Sequence, residues 1–192
     1  MYLYYIHLVH ECKFQVSTSC QSTITQCGLF DKFSHILMAV GIPADILTET
    51  IVALGECIRG NDKNQDAFSK VLAPSEPPRA ALILLLMSMV NDKQPFDLRC
   101  AILYCLQCYL HKNLRRQQEV MSTLLPNHEQ KDENDITAGQ LLCGGMFSND
   151  GLSNWLSSVA LTHGMMDQEA LKTELLKVQV ASIQDAAGTF YI

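Results

Sequence analysis

The 192-residue sequence predicts an all-α fold wound as a solenoid, and three observations carry that expectation. Apolar residues step by three or four along nearly the whole chain, and no stretch alternates apolar with polar in the manner of a half-buried strand. Three successive blocks share one plan: an apolar helix, a polar turn, an amphipathic helix, a second turn, and a shorter helix with Gln near its start. Residues 80–90 are apolar on every face, which calls for neighbours on every side. Stacked repeats supply them, because each unit closes its core only against the next.

The first block runs Gly28–Val40, Pro43–Arg59 and Gln65–Leu72. Its middle helix carries the stripe Ala44, Leu47, Ile51, Leu54 and Ile58. Pro43 suits a first helical position and Gly60 the residue after the C-cap. The second block is Pro78–Val90, Pro95–His111 and Arg116–Leu125, with Leu98, Ala101, Ile102, Cys105 and Tyr109 as its middle stripe. The third is Thr137–Phe147, Gly151–His163 and Gln168–Val178. Thr137-Ala-Gly-Gln140 has capping-box spacing, Asp150 is placed to cap the next helix, and Gly164 stops it. That helix shows Leu152, Trp155, Leu156, Val159 and Ala160 along one side.

Aligned on Leu47, Leu98 and Leu152, the blocks repeat at 51 and 54 residues. This spacing indicates an armadillo/HEAT-like right-handed superhelix of about three repeats, although such units usually run about 40–47 residues. The surplus falls in two expected loops, Ala73–Pro77 and Asn127–Asp135. A single globular bundle is the alternative architecture. Met1–Ser22 holds part of a preceding repeat, with Met1–Val9 as the first turns of a helix, and the pattern fades into Ser182–Ile192. Neither end has the polar face of a capping repeat, so the expected reading is a piece of a longer protein. Apolar faces are then bared near Leu3–Val9 and Leu175–Val180.

Composition narrows the function. Hydrophobic residues make up 48% and charged residues 18%, which excludes a disordered chain. The net charge of −6 disfavours a general nucleic-acid binder, which needs a basic face. The longest apolar run is too short to span a bilayer, and the N-terminus lacks the basic region of a signal peptide. Eight cysteines occur without any Asn-X-Ser/Thr acceptor, mostly inside apolar helical patterns. They are read as free thiols packed in a reducing compartment, with Cys57, Cys100, Cys105 and Cys143 mostly buried.

Candidate chemistry is sparse. Cys105-Leu-Gln-Cys108, with Cys100 and His111 nearby, has the pattern of a metal or redox site, but both cysteines fall within a helix and a second ligand pair is missing. Asp62-X-Asn64-X-Asp66 opens like a calcium loop, yet Ala67 replaces its glycine and Ala73 its terminal glutamate. His7, His10, His35, His111, His128 and His163 match no zinc pattern, and Gly144-Gly145 lacks phosphate-loop spacing. No catalytic, cofactor-binding or metal residue is assigned. Two charged clusters remain, a basic one at Lys112, Arg115 and Arg116 and an acidic one at Glu129, Asp132, Glu133 and Asp135. The basic cluster is the candidate docking surface for a protein partner or a membrane.

Particular strings carry a resemblance. They are Ile42-Pro-Ala-Asp-Ile-Leu-Thr-Glu-Thr-Ile51, Pro77-Pro-Arg79, Leu85-Leu-Met-Ser-Met-Val90, Gln94-Pro-Phe96 with Leu98-Arg-Cys-Ala101, Ser122-Thr-Leu-Leu-Pro126, and Ala138-Gly-Gln-Leu-Leu-Cys-Gly-Gly145 continuing to Leu152-Ser-Asn-Trp155. In unbroken order across Ser19–Ala181, they resemble the globular head of the general vesicular transport factor family, Golgi vesicle-tethering proteins also known as transcytosis-associated proteins. The resemblance implies an armadillo-like head domain over residues 1–181 and a divergent tail over 182–192. It implies a non-enzymatic scaffold in ER-to-Golgi and intra-Golgi transport, without cofactors, cytoplasmic and peripheral on the Golgi membrane. Its implied partners are a Rab-family GTPase, golgins and membrane-fusion proteins, and nucleic acid is not among them. The family homodimerises through a long coiled coil and ends in an acidic tail, and neither feature occurs in this sequence. The rival readings are another armadillo-type adaptor and a small metal or redox protein using Cys105 and Cys108. The single tryptophan, Trp155, disfavours an adaptor groove built on regularly spaced Trp and Asn.

Overall fold

The computed structural model describes residues 16–39, 41–73, 76, 78–125, 136–177, 183–184 and 190–191. The helices are α1 (Thr18–Gln26), α2 (Leu29–Met38), α3 (Ala44–Ile58), α4 (Asp62–Ser69), α5 (Ala81–Met89), α6 (Phe96–Leu110), α7 (Leu114–Met121), α8 (Ala138–Met146), α9 (Gly151–Gly164) and α10 (Glu169–Leu175). A 3₁₀ turn, Ser122–Leu124, extends α7. Strand β1 (Leu72–Ala73) pairs antiparallel with β2 (Arg79–Ala80), and β3 (Ile183–Gln184) with β4 (Phe190–Tyr191). The expected start of a helix at Pro78 moves to Ala81 because Arg79 and Ala80 are spent on the ladder with Ala73 and Leu72. The expected Met1–Val9 helix and the acidic loop lie outside the described residues.

The three middle helices stack as the repeat plan requires, α6 lying between α3 and α9. Nearly all of α6 is therefore buried, including Ile102, Leu106 and Leu110. Gly55 lets α3 and α6 approach closely, since a β-carbon there would stand 3.2 Å from the Tyr104 ring. Gly145 does the same between α8, α9 and α5, where a β-carbon would meet Ser157 and Val90. Of the glycine pair in the sequence, Gly145 is thus a packing device, while a β-carbon at Gly144 would meet nothing within 4 Å.

The structure sets the repeat register by its caps. Gly60, Lys112 and Asp167 all take left-handed backbone, with φ of 65°, 55° and 63°. Each precedes the N-cap of a third helix: Asn61, Asn113 and Gln168. These landmarks stand 52 and 55 residues apart, one more in each case than the leucine alignment gives. A helix as uniformly apolar as α6 tolerates a one-residue slip in a stripe-based alignment, whereas a turn with positive φ does not. In the corrected register, buried Leu54, Leu106 and Leu161 are equivalent.

Two further expectations change. Residues 80–90 are not covered on all sides: Ala81, Leu85, Leu86 and Met89 are buried, but Leu82, Ile83, Leu84 and Met87 are half-buried. Helix α8 packs onto the end of α5 through Gly145 and Val90. Between α2 and α5 a groove of about 390 Å³ stays open instead, lined by Leu37, Leu47, Leu84, Met87 and their neighbours. Cys57, Cys100 and Cys105 are buried free thiols as expected, but Cys143 is only half-buried.

Candidate interaction surface

Every helix end leaves carbonyls without partners inside the helix. At the C-termini of the first two middle helices these groups are satisfied by buried amides from the preceding repeat. Gln21 donates from Nε2 to the carbonyls of Glu56 and Arg59, at 2.9 and 3.0 Å. Asn61 donates back to Gln21 Oε1 at 3.3 Å. One repeat later, Gln65 donates to the carbonyls of Cys108 and His111 at 2.9 and 3.1 Å, and Asn113 donates to Gln65 Oε1 at 2.7 Å. The same asparagines cap their own helices, accepting from the amides of Asn64 and Arg116. Since Gln21 performs the task of Gln65, α1 is the third helix of the unit preceding block one.

The next rung departs from this pattern. Gln117 turns its Nε2 to Leu110 O in its own repeat, at 3.2 Å, and Gln168 donates to Gln117 Oε1 at 3.3 Å. Here the junction is held by charge. Arg99, 2% exposed, donates to Met89 O at 2.8 Å and to Asp150 Oδ2 and Ser153 Oγ at 2.6 Å each. Ser153 and Arg99 hold the Asp150 carboxyl well below the usual carboxylate range, their hydrogen bonds to the ionised form being the cause.

The basic cluster divides. Arg116 is 6% exposed and committed inward, donating to Asp66 at 2.6 Å and Glu119 at 2.5 Å. Its hydrogen bond, with Arg115 nearby, lowers the pKa of Asp66. Arg115 is exposed but shares Asp66 and Glu119. Lys112 is exposed at the left-handed turn. Arg116 thus belongs to the interior and only Lys112 and Arg115 face solvent. A basic side chain more closely grouped with Lys112 is His111, half-buried against the Gly60 turn. Burial lowers its basicity, and the nearby charges of Arg59, Lys112 and His163 lower it further. The sequence offered one signal for this grouping: Arg59 and His111 are equivalent at the 52-residue spacing.

The other motifs resolve into packing. Cys105 and Cys108 are buried in α6, and burial pushes the Cys105 thiol far up. Asp62, Asn64 and Asp66 lie in α4, where Asn64 donates to Cys57 O and accepts from Thr25. Among the described residues, no three His, Cys, Asp or Glu side chains are placed to hold a metal ion. Among them, too, no helix is long and apolar enough to cross a membrane.

A family model described as the head region of Uso1/p115-like vesicle tethering proteins matches residues 61–188, and one for the armadillo tether-repeat of vesicular transport factor matches residues 9–46. General vesicular transport factor p115 of Homo sapiens and that of Bos taurus are each 55% identical to the chain over 166 residues, which is 86% of this chain. The p115 of Mus musculus is equally similar. The chain spans 17% of the length of these relatives.

Proposed function

The chain belongs to the Uso1/p115-like vesicle-tethering family by its head region, and from that premise we propose that it is a non-enzymatic scaffold acting before membrane fusion in Golgi transport. The observation that carries the reading is 55% identity maintained across 86% of the chain, on a stack of helical repeats whose polar side chains serve the joints between units. A protein that works by surface complementarity needs a rigid, extended frame, and repeat stacking supplies one. In this reading residues 1–181 are head and 182–192 a divergent tail. Its partners are a Golgi Rab-family GTPase, golgins and fusion proteins, and its place is the cytoplasmic face of the Golgi as a peripheral protein. Lys112 and Arg115 lie on the docking side, with Arg116 supporting them from beneath. The test is capture of purified Golgi Rab proteins by the immobilised chain. Retention of one Rab in its GTP-bound form over its GDP-bound form supports the proposal. Equal retention of both nucleotide states, or of none, overturns Rab recognition by this chain.

A further inference from the structure

At the 52-residue register the middle helices α3 and α6 can be compared position by position. In α6, Tyr104 and Cys105 lie against Gly55 of α3. Together with Leu98, Ala101 and Cys108 they form a buried face. The equivalent residues of α3 are Ile46, Glu49, Val52, Ala53 and Glu56. Ile46 is 49% exposed and Val52 36%, Glu49 is exposed, and Ala53 and Glu56 are half-buried. Helix α3 thus turns outward the face with which α6 receives a neighbouring helix. The chemistry changes along with the exposure, because carboxylates stand where α6 has Ala101 and Cys108. Asp45 lies on the same stripe, four residues before Glu49. No Lys or Arg occurs within α3 to balance these charges. Tyr104 of α6 donates its hydroxyl to Glu56 and so fixes that carboxylate at the border of the face.

We propose that this outer face of α3 binds an amphipathic helix of a protein partner, one that carries lysines or arginines beside its apolar stripe. The joint between α3 and α6 shows that a helix lies along this face of a middle helix. Ile46 and Val52 supply the apolar contact. Glu49 and Glu56 are seven residues apart, two turns or about 10 Å along the axis. Cations at the same spacing on the partner meet both carboxylates, and an apolar residue between them meets Val52. Covering a carboxylate without a cation is costly, so a neutral helix does not serve here. That argument also disfavours a second copy of this chain added end to end. Its free side of α9 would present Asn154, Ser158 and Thr162, which carry no cation, and the two hydroxyls are turned back to carbonyls of their own helix.

The probe is a fluorescein-labelled peptide of about 18 residues, long enough to form a helix by itself. It is built of Ala, with Leu along one stripe and Lys beside it at seven-residue spacing. A scrambled peptide of the same composition and a peptide with Glu in place of Lys are the other arms. Fluorescence anisotropy with the whole chain should show saturable binding of the Lys peptide and not of the scrambled one. Glu49→Gln should weaken it by about two- to fivefold. Glu49→Lys should weaken it further and raise the affinity for the Glu peptide, a gain that misfolding cannot mimic. Glu174→Lys, a reversal of an exposed carboxylate on α10, should leave the affinity unchanged. Absence of binding, equal binding of the scrambled peptide, equal losses in the Glu49 and Glu174 reversals, or no gain for the Glu peptide would overturn the proposal. Concentration-dependent dimers that Glu49→Lys abolishes would assign the face to a second copy and overturn it too. None of these readouts depends on Rab capture or on Lys112 and Arg115, so the two proposals fail separately.

Discussion

The joint between the first and second repeats and the joint between the second and third solve one geometric problem with different chemistry. At the first, a neutral amide pair, Gln65 and Asn113, links α4 to the end of α6, while Gly55 and Tyr104 bring the middle helices into contact. At the second, the amide rung is incomplete and a buried guanidinium ties α6 to the start of α9 through Asp150 and Ser153. A neutral rung carries no titratable group and keeps its strength across pH. An ion pair is stronger per contact but depends on the ionisation of its carboxylate. The stack is therefore uniform in shape and non-uniform in its response to acid.

The largest effect should come from the core of the middle repeat, which lies between the two joints. Leu86 is fully buried in α5 of the middle repeat, and Leu86→Ala should cost about 2–5 kcal/mol in urea unfolding. A loss below about 1 kcal/mol would mean that the middle repeat is not the common support of the two joints. Next, Gln65→Ala strips partners from two buried carbonyls and should cost about 1–3 kcal/mol. Gln117→Ala leaves one carbonyl, Leu110 O, short of that amide and should cost less. Equal losses would erase the contrast between the rungs.

Acid should sharpen the comparison further. The folded-state pKa of Asp150 is depressed, so its contribution is present above the unfolded value of about 3.9 and is lost as pH falls below it. Wild-type unfolding midpoints should therefore drop between about pH 4 and pH 2, and Asp150→Asn should flatten that part of the curve. The depressed Asp66 adds acid loss of the same sign, so some slope should survive in the variant. The smallest effect is a gain. Lys112 holds a left-handed conformation that glycine adopts freely, as Gly60 does at the equivalent turn. Lys112→Gly should stabilise by up to about 1 kcal/mol, measured by thermal unfolding.

The sequence revealed the helices because their signals are local. Thr137 and Gln140 form the capping box, and Asp150 accepts from the amides of Leu152 and Ser153. What it concealed depends on partners a repeat away. Arg99 sits in the first turn of α6 among apolar residues, and nothing local says that Asp150, 51 residues on, will neutralise it. Arg116 read as surface because its partner Asp66 is 50 residues earlier. The amide ladder was half visible: Gln near the start of each third helix was part of the pattern, but its acceptors are backbone carbonyls, which no sequence displays. Asn61 and Asn113, which directly follow Gly60 and Lys112, are the available clue to the true register.

The ladder also decides where such a protein can be cut and rejoined. The Gln21 and Gln65 rungs each take their amide from one repeat and their carbonyls from the next, so the helical unit seen by eye is not the unit that can be transplanted. A chimera spliced after α4 separates Gln65 from Cys108 O and His111 O, and the incoming repeat arrives with two carbonyls uncapped. A splice in the turn between α3 and α4 leaves both sets of bonds whole, because Gln21 stays with Glu56 O and Arg59 O on one side and Gln65 with Cys108 O and His111 O on the other. The transferable module is therefore offset from the three-helix repeat: it begins at a third helix and ends at the middle helix that follows.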